Sequence, residues 1–494
     1  MSTLKTNNLQ HLDSGTANIE LAIGGGAIHS GISTFQSGVR VTGGSVGIGT
    51  DNPSFELSIY GTDSVRNEIV CTNNNSAGAG IYLRTMNGGS TVSNATIATN
   101  ASGTLSIFTG NSAEASERLR ITSSGITSVT GSLAVNGNNY PTVGPLSNRN
   151  LIINGAMQVA QRGTSGTAND YNSIDRFGRD VNSGTGTFTD TQQTLTSGSP
   201  YDEGFRKFFR IASSSASTAG TWSYLQIYYK AEAQDIAASG WKYTDTSSYV
   251  TLSFWVRASV TQTYGFSVQT QDGTQYLYNK TFALSANTWT KITQSIPGRS
   301  GLQFDNDSNL GLTFKWFPHL GSTYNGGTDN TWDTVGSGNY GSSLGTAWWT
   351  ASSATFDLTG VQLELGTKAT PFEYRSYGDE LARCQRYYQK ITSHTTNARM
   401  AIGGNGSVAG CFPTAYLPTT MRAQPSVSYS ALSDFNTEGI TGGGATQVSA
   451  LSFNAASSHA VTLSVSASGG SSSGTGGQVL SNNTNAYLAF SAEL

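Results

Sequence analysis

The sequence is poor in charge, in sulfur and in clustered histidine, and each shortage removes a class of function. Asp, Glu, Lys and Arg make up 12% of the 494 residues, against about 25% in a typical soluble protein, so the surface must be wetted mainly by hydroxyls, amides and backbone. That argues against an ordinary cytosolic enzyme. The 27 basic residues are spread thinly and the formal net charge is −3, which leaves no cationic stripe to neutralise phosphates; nucleic acid is not an expected partner. Three cysteines, Cys71, Cys384 and Cys411, are too few and too scattered for a disulfide framework or a thiolate metal site and read as free thiols in a reducing cytoplasm. The histidines, His11, His29, His319, His394 and His459, form no H-x-H or H-E-x-x-H pair, so nothing points to a metal centre or a His-based nucleophile. No stretch approaches 18 consecutive apolar residues and the start has no apolar run behind a basic end; neither membrane insertion nor a cleaved secretion signal is expected. The glycine triplets 24–26 and 442–444 lack the Lys and the following helix of a phosphate-cradling loop.

What is present is a chain in which Gly, Ser and Thr supply 187 residues, with 36% apolar and 10% aromatic content. The apolar content is too high for a disordered chain, and 494 residues exceed what one core usually serves, so several core-forming units are expected. All eight tryptophans lie between Trp222 and Trp349, which marks one aromatic domain inside a Trp-free chain. Before it, residues 36–137 read as a shaft of short period-2 runs between Gly, Ser and Asn, such as Val46 and Ile48, Leu57 and Ile59, and Leu119 and Ile121. Strands that short carry little apolar surface of their own, and association of several copies would complete the core. Residues 138–148 have the Pro and Asn content of a linker.

From residue 149 to 375 the strands lengthen. Val250, Leu252, Phe254 and Val256 alternate with polar neighbours, as do Tyr264, Phe266 and Val268 before the Asp272-Gly273 turn, and Leu310, Leu312, Phe314 and Trp316. Without helical periodicity, such strands imply an antiparallel sandwich, a jelly roll. The apolar parity shifts at Gly360 within 356–365, as at a β-bulge. One helix is expected over 376–392, where Tyr377, Leu381, Cys384, Tyr388 and Ile391 repeat at the heptad spacing 4, 3, 4, 3. The stripe fits a coiled coil between chains, and equally a helix packed on its own sandwich. Residues 393–494 hold only Arg422, Asp434, Glu438 and Glu493 as charged side chains beyond Arg399, and read as a further β-sandwich tip.

The most site-like segment is 318–347, thirty residues without Lys or Arg that carry Tyr324, Trp332 and Tyr340 at intervals. Long loops without regular structure are usually functional. Ring faces beside Asn325, Asp329, Asn330 and Asp333 suit a sugar, whose C–H face stacks on a ring while its hydroxyls bond to side chains; the same rings could instead pin the loop to the sandwich. Asp175, Asp202, Glu203, Asp329, Asp333, Asp357 and Glu364 have no distinctive flanks for paired-carboxylate chemistry. Turn caps or ligands of a structural calcium are their commoner use, and no other cofactor is expected.

Several elements carry a resemblance. Val46-Gly47-Ile48-Gly49-Thr50, with Pro53, Leu57 and Ile59, resembles the VGIGT element of bacteriophage tail fibres, and Glu117-Arg118-Leu119-Arg120-Ile121-Thr122 is similar to its usual companion. Asn150-Leu151-Ile152-Ile153-Asn154-Gly155, Gly360-Val361-Gln362-Leu363-Glu364-Leu365-Gly366 and Thr370-Pro371-Phe372-Glu373 resemble a carbohydrate-binding-module-like jelly roll of such fibres. Glu380-Leu381-Ala382-Arg383-Cys384-Gln385-Arg386-Tyr387-Tyr388 is similar to the segment that follows it, and Leu417-Pro418-Thr419-Thr420-Met421 to the opening of a fibre tip. The beginning of the chain resembles the virion-attachment end of fibres from phages of marine cyanobacteria.

The resemblance implies an all-β, elongated homotrimeric fibre. Its parts would be a virion-attachment segment (1–35), the shaft, the jelly roll, a trimeric helix and the tip. It implies attachment of the particle to a bacterial surface polysaccharide by binding, without enzymatic turnover, with tail or baseplate proteins as partners at the N-terminal end and the virion tail as location. Rival expectations are a fibre-borne polysaccharide depolymerase and a structural head or connecting fibre.

Overall fold

The computed structural model describes residues 8–9, 19–21, 27–29, 46–48, 57–59, 80–87, 90–99, 102–111, 114–129, 134–135, 138–139, 147–407, 410–439, 444–467 and 474–494. The all-β expectation holds. The chain divides into two compact units, Met1–Thr130 and Gly131–Leu494. Val39, Val41, Phe55 and Cys71 lie outside the described residues.

In the first unit the short runs are strands, and Val46–Ile48 pairs with Leu57–Ile59 in parallel. The expectation of uniformly short strands is corrected by a five-stranded antiparallel meander, whose strands Gly80–Asn87, Ser90–Thr99, Leu105–Asn111, Glu114–Ile121 and Thr127–Val129 follow one another. Connections of a few residues make each strand pair with the next one in sequence, the cheapest topology for loop closure.

The second unit begins with a two-sheet sandwich. One sheet, the back sheet, runs Ser165–Gly166, Phe188–Thr194, Lys207–Ser213, Thr355–Leu365, Tyr249–Ala258, Thr290–Pro297. The other, the front sheet, runs Phe177–Asn182, Tyr224–Glu232, Leu310–Leu320, Gln262–Thr270, Tyr276–Leu284, Trp332–Thr334. Every pairing within them is antiparallel. The period-2 pattern explains the layering: Ile227, Tyr229, Phe266, Phe314 and Trp316 of the front sheet and Phe254, Phe356 and Leu358 of the back sheet are buried in one core. Trp316 meets Phe254 edge to face at 5.8 Å, a favoured geometry for aromatic rings. The bulge expected at Gly360 is present. The register between the two central back strands slips there, Gly360 has a φ of 63°, and a Cβ would stand 2.8 Å from the Phe205 ring.

The helix is shorter than its heptad pattern implies. It spans Tyr377–Gln385, capped by Ser376, whose hydroxyl accepts from Asp379 N, and Tyr388–Thr392 is a strand paired with Tyr487–Ser491. Hence the five stripe residues do not share a helix face. Leu381 and Cys384 pack on the sandwich core, Tyr377 is exposed, Tyr388 is buried on the strand, and Ile391 packs against the C-terminal core. Two anchors stop the helix. Arg386 makes a bidentate pair with buried Glu232 at 2.7 Å for both bonds, and the ladder to Tyr487–Ser491 captures the following backbone.

The tip is also corrected: it is a closed six-stranded barrel with a three-stranded sheet, not a sandwich. The barrel order is Arg399–Ser407, Gly410–Tyr416, Ala460–Ala467, Thr446–Ala456, Phe435–Gly439, Gly476–Ser481. Closure leaves no open edge, which suits strands with few charges to guard them. Tip and sandwich meet through Glu493, which accepts from Arg162 at 3.1 Å and from Arg176, and through Arg422, which donates to Ser308 O at 2.9 Å. The Arg176 guanidinium also lies 3.3 Å from the centre of the Tyr387 ring.

Candidate functional site: the outer face of the front sheet

The front sheet turns its second parity outward. Along Tyr224–Glu232, Leu225, Ile227 and Tyr229 go to the core while Tyr224, Gln226, Tyr228 and Lys230 face out. On Leu310–Leu320, Thr313 and Lys315 face out, because register pairs Tyr228 with Lys315 and Lys230 with Thr313; Asp180 pairs with Gln226 and Ser267 with Lys315. Gly178 stands opposite Tyr228, and a Cβ there would lie 2.3 Å from the Tyr228 ring. The glycine therefore lets the ring lie across its neighbour strand, and its hydroxyl donates to Asp170.

The segment 321–346 comes down onto one end of this face. Its backbone is held by Gly326 N to Gly338 O at 2.7 Å, Gly341 N to Tyr324 O at 3.0 Å and Asn330 N to Asn279 O at 2.8 Å. Gly327 permits the approach: a Cβ would sit 2.2 Å from the Asn279 amide. Against this wall opens a cavity of about 240 Å³ lined by Tyr224, Gln226, Lys315, Phe317, Leu320, Tyr324 and Tyr340. Gln226 and Lys315 also line a second cavity of about 380 Å³, whose lining includes Asp170, Asp180, Tyr228, Lys230, Gln271 and Thr313.

Tyr324 is the hub of the aromatic end. It meets Trp222 at 5.8 Å, Tyr224 at 5.6 Å and Tyr340 at 5.8 Å, each edge to face, and Trp222 remains 58% exposed. Around the rings are directed polar groups. Asp180 accepts from the Tyr224 hydroxyl at 2.8 Å and the Gln226 amide at 3.2 Å, and the Lys315 ammonium donates to Gln269 Oε1 at 2.6 Å. Burial draws the Lys315 ammonium down to about 8, partly opposed by Asp180. Chemically the face offers apolar ring surface, amides and hydroxyls in an open cleft.

The five residues singled out by sequence divide. Tyr324 and Tyr340 line the cavity. Trp332 is buried, packs on Tyr278 at 5.4 Å and donates from Nε1 to Pro297 O at 2.8 Å. Asp329 accepts from Thr281 N at 2.9 Å, from the Thr281 hydroxyl and from Ser342, and Asp333 caps Thr328 N at 3.1 Å. These three shape the segment, because a loop this poor in apolar surface needs an indole staple and carboxylate acceptors for its free N–H groups. Asp175, Asp357 and Glu364 are likewise consumed internally, by Gln161, by Arg210 and Arg257, and by Thr370. Among the described residues no group of three or more His, Cys, Asp or Glu is placed to hold a metal ion.

Asp180, Tyr224, Gln226 and Lys315 were missed by sequence reasoning. For Tyr224, Gln226 and Lys315 the signal lies in the polar parity of the runs 224–231 and 312–316, of which only the apolar parity of 310–316 enters the sequence reading.

No known protein family matches the sequence, and no curated protein matches it. Solved structures do. The enzymatically active domain of tailspike protein 4 of bacteriophage CBA120 is 10% identical over 44% of this chain and 21% of that one, with a TM-score of 0.24. A xylan-binding domain from Paenibacillus barcinonensis is 11% identical over 43% of this chain and 99% of that one, TM-score 0.21. An arabinose-bound α-L-arabinofuranosidase is 12% identical over 48% and 29%, TM-score 0.26. The expectation of a non-enzyme is corrected on this finding, since an enzymatically active tailspike domain and a glycosidase stand among the similar structures.

Proposed function

We propose that the protein is a phage tail fibre, trimeric in the particle, that attaches it to a bacterial surface glycan through the outer face of the front sheet. The observation that carries the binding step is the open cleft in which Tyr224, Tyr324 and Tyr340 stand beside Gln226 and Lys315. A pyranose needs an apolar platform for its C–H face and directed donors and acceptors for its hydroxyls, and this face provides both on a rigid sheet. The paired sequence elements at 46–59 and 117–122 support the virion assignment, with the tail as location and a tail or baseplate protein as the N-terminal partner. Three linked sites raise effective concentration, so each one need not bind tightly. The low surface charge limits unselective ionic adhesion.

The test is competition. Purified protein should block phage adsorption to cells and lose that ability when the cells' glycans are oxidised with periodate. Light scattering should return three times the 51.8 kDa chain mass. Competition that survives periodate would overturn glycan as the receptor, and a monomer mass would overturn the trimer. Reducing ends assayed in the same mixture report cleavage.

A further inference from the structure

We propose that the sugar seated in the aromatic end of the cleft is acidic, with its carboxylate on Lys315. This rests on the glycan-binding proposal above and names the chemistry of its ligand.

The cavity of about 240 Å³ has one charged residue in its lining, Lys315, and no carboxylate. Its ammonium makes a neutral bond to Gln269 and lies 5.0 Å from the centre of the Tyr340 ring, with no ion pair among the described residues. The surrounding charges do not answer it. Asp180, on Phe177–Asn182, lies outside this cavity and already accepts from Tyr224 and Gln226. Asp170, in the segment before it, accepts from Tyr228. Lys230, on Tyr224–Glu232, adds a second cation and donates to Leu494 O. The remaining neighbours on Gln262–Thr270 and in 321–346, namely Ser267, Gln269, Tyr324 and Tyr340, offer no carboxylate.

A half-buried ammonium short of an anion favours a ligand that brings one, since hydrogen bonds to charged groups are roughly twice as strong as neutral ones. The depressed ammonium, at about 8, agrees with this: a bound carboxylate would raise it, so affinity is full below pH 8 and declines above it.

The test uses the full chain and an acidic polysaccharide extracted from cells it binds, beside the same polysaccharide after carboxyl reduction. Titration calorimetry should show binding to the native form at least about tenfold tighter than to the reduced form, and Lys315→Met should remove most of that difference while thermal unfolding stays near wild type. The decline above pH 8 should disappear in Lys315→Arg. Equal binding to native and reduced polysaccharide, or an acidic preference that survives Lys315→Met in folded protein, would overturn the acidic sugar and leave glycan binding standing. No binding to either form would overturn both.

Discussion

Trp332 lies in the segment 321–346 and Trp222 packs against it through Tyr324, and the structure gives them opposite roles that substitution can separate. Trp332 is 8% exposed, packs on Tyr278 and holds Pro297 O through its indole N–H. A buried Trp→Ala change costs about 3 to 5 kcal/mol. The lower end applies here because Trp332 lies on a three-residue strand at the sheet edge, where neighbours can relax. At about 2.1 cal/mol/K of unfolding entropy per residue, a loss of about 3 kcal/mol in a unit of several hundred residues lowers Tm by about 4 °C. Trp222 is 58% exposed, with one ring contact, to Tyr324, so Trp222→Ala should cost less than about 1 kcal/mol. Calorimetric melting and cell binding should be measured on both variants. Trp332→Ala should melt early and open 321–346 to chymotrypsin; Trp222→Ala should melt normally and bind cells weakly. The reverse, a stable Trp332→Ala that has lost binding beside an unaffected Trp222→Ala, would refute the reasoning.

Two further outcomes follow from buried charge. Arg386→Ala strips the bidentate partner from fully buried Glu232 while Arg386 itself is one-third exposed, which should cost about 3 kcal/mol at neutral pH. Burial raises Glu232, but Arg386 together with hydrogen bonds from Tyr387 and Gln234 outweighs it and holds the carboxyl below its usual range; the Arg386 contribution is present above about pH 4.3 and fades as pH falls through the folded value, so the penalty of the variant should shrink in acid. His319 is buried, bonded to Ser223 at 2.9 Å and stacked on Trp349 at 4.5 Å, and burial pushes it down to about 4. The unfolded chain takes up this proton first, so wild type should lose about 3 kcal/mol between pH 6.5 and 4 relative to His319→Gln. Burial pushes Asp175 and Asp190 up to about 6, which favours the fold in the same window, and the comparison between the two proteins cancels that effect. Parallel pH profiles for wild type and His319→Gln would contradict the assignment.

Strand periodicity was legible because it reports burial directly. The runs around Phe254, Phe266 and Phe314 each place one parity in the core, and the parity shift at Gly360 located a real bulge. The heptad spacing over 377–391 misled because the same residues serve two partners. Cys384 faces the sandwich from a nine-residue helix, and Tyr388 faces it from a strand whose pairing partner, Tyr487–Ser491, is a hundred residues away. The barrel closes through similarly distant pairings, such as Arg399–Ser407 with Gly476–Ser481, which local pattern does not encode. At the site, aromatic content marks 318–347, yet exposure decides which rings are open to solvent. Exposure depends on the Asn279 and Pro297 backbones against which the segment folds.

The central claim is that glycan lies across the outer face of the front sheet. Hydrogen–deuterium exchange with and without polysaccharide extracted from bound cells tests it most directly. Protection should concentrate in 224–230, 313–317 and 321–346, with the barrel strands and the back sheet unchanged. Protection confined to the barrel or the back sheet, with the front face exchanging freely, would contradict it.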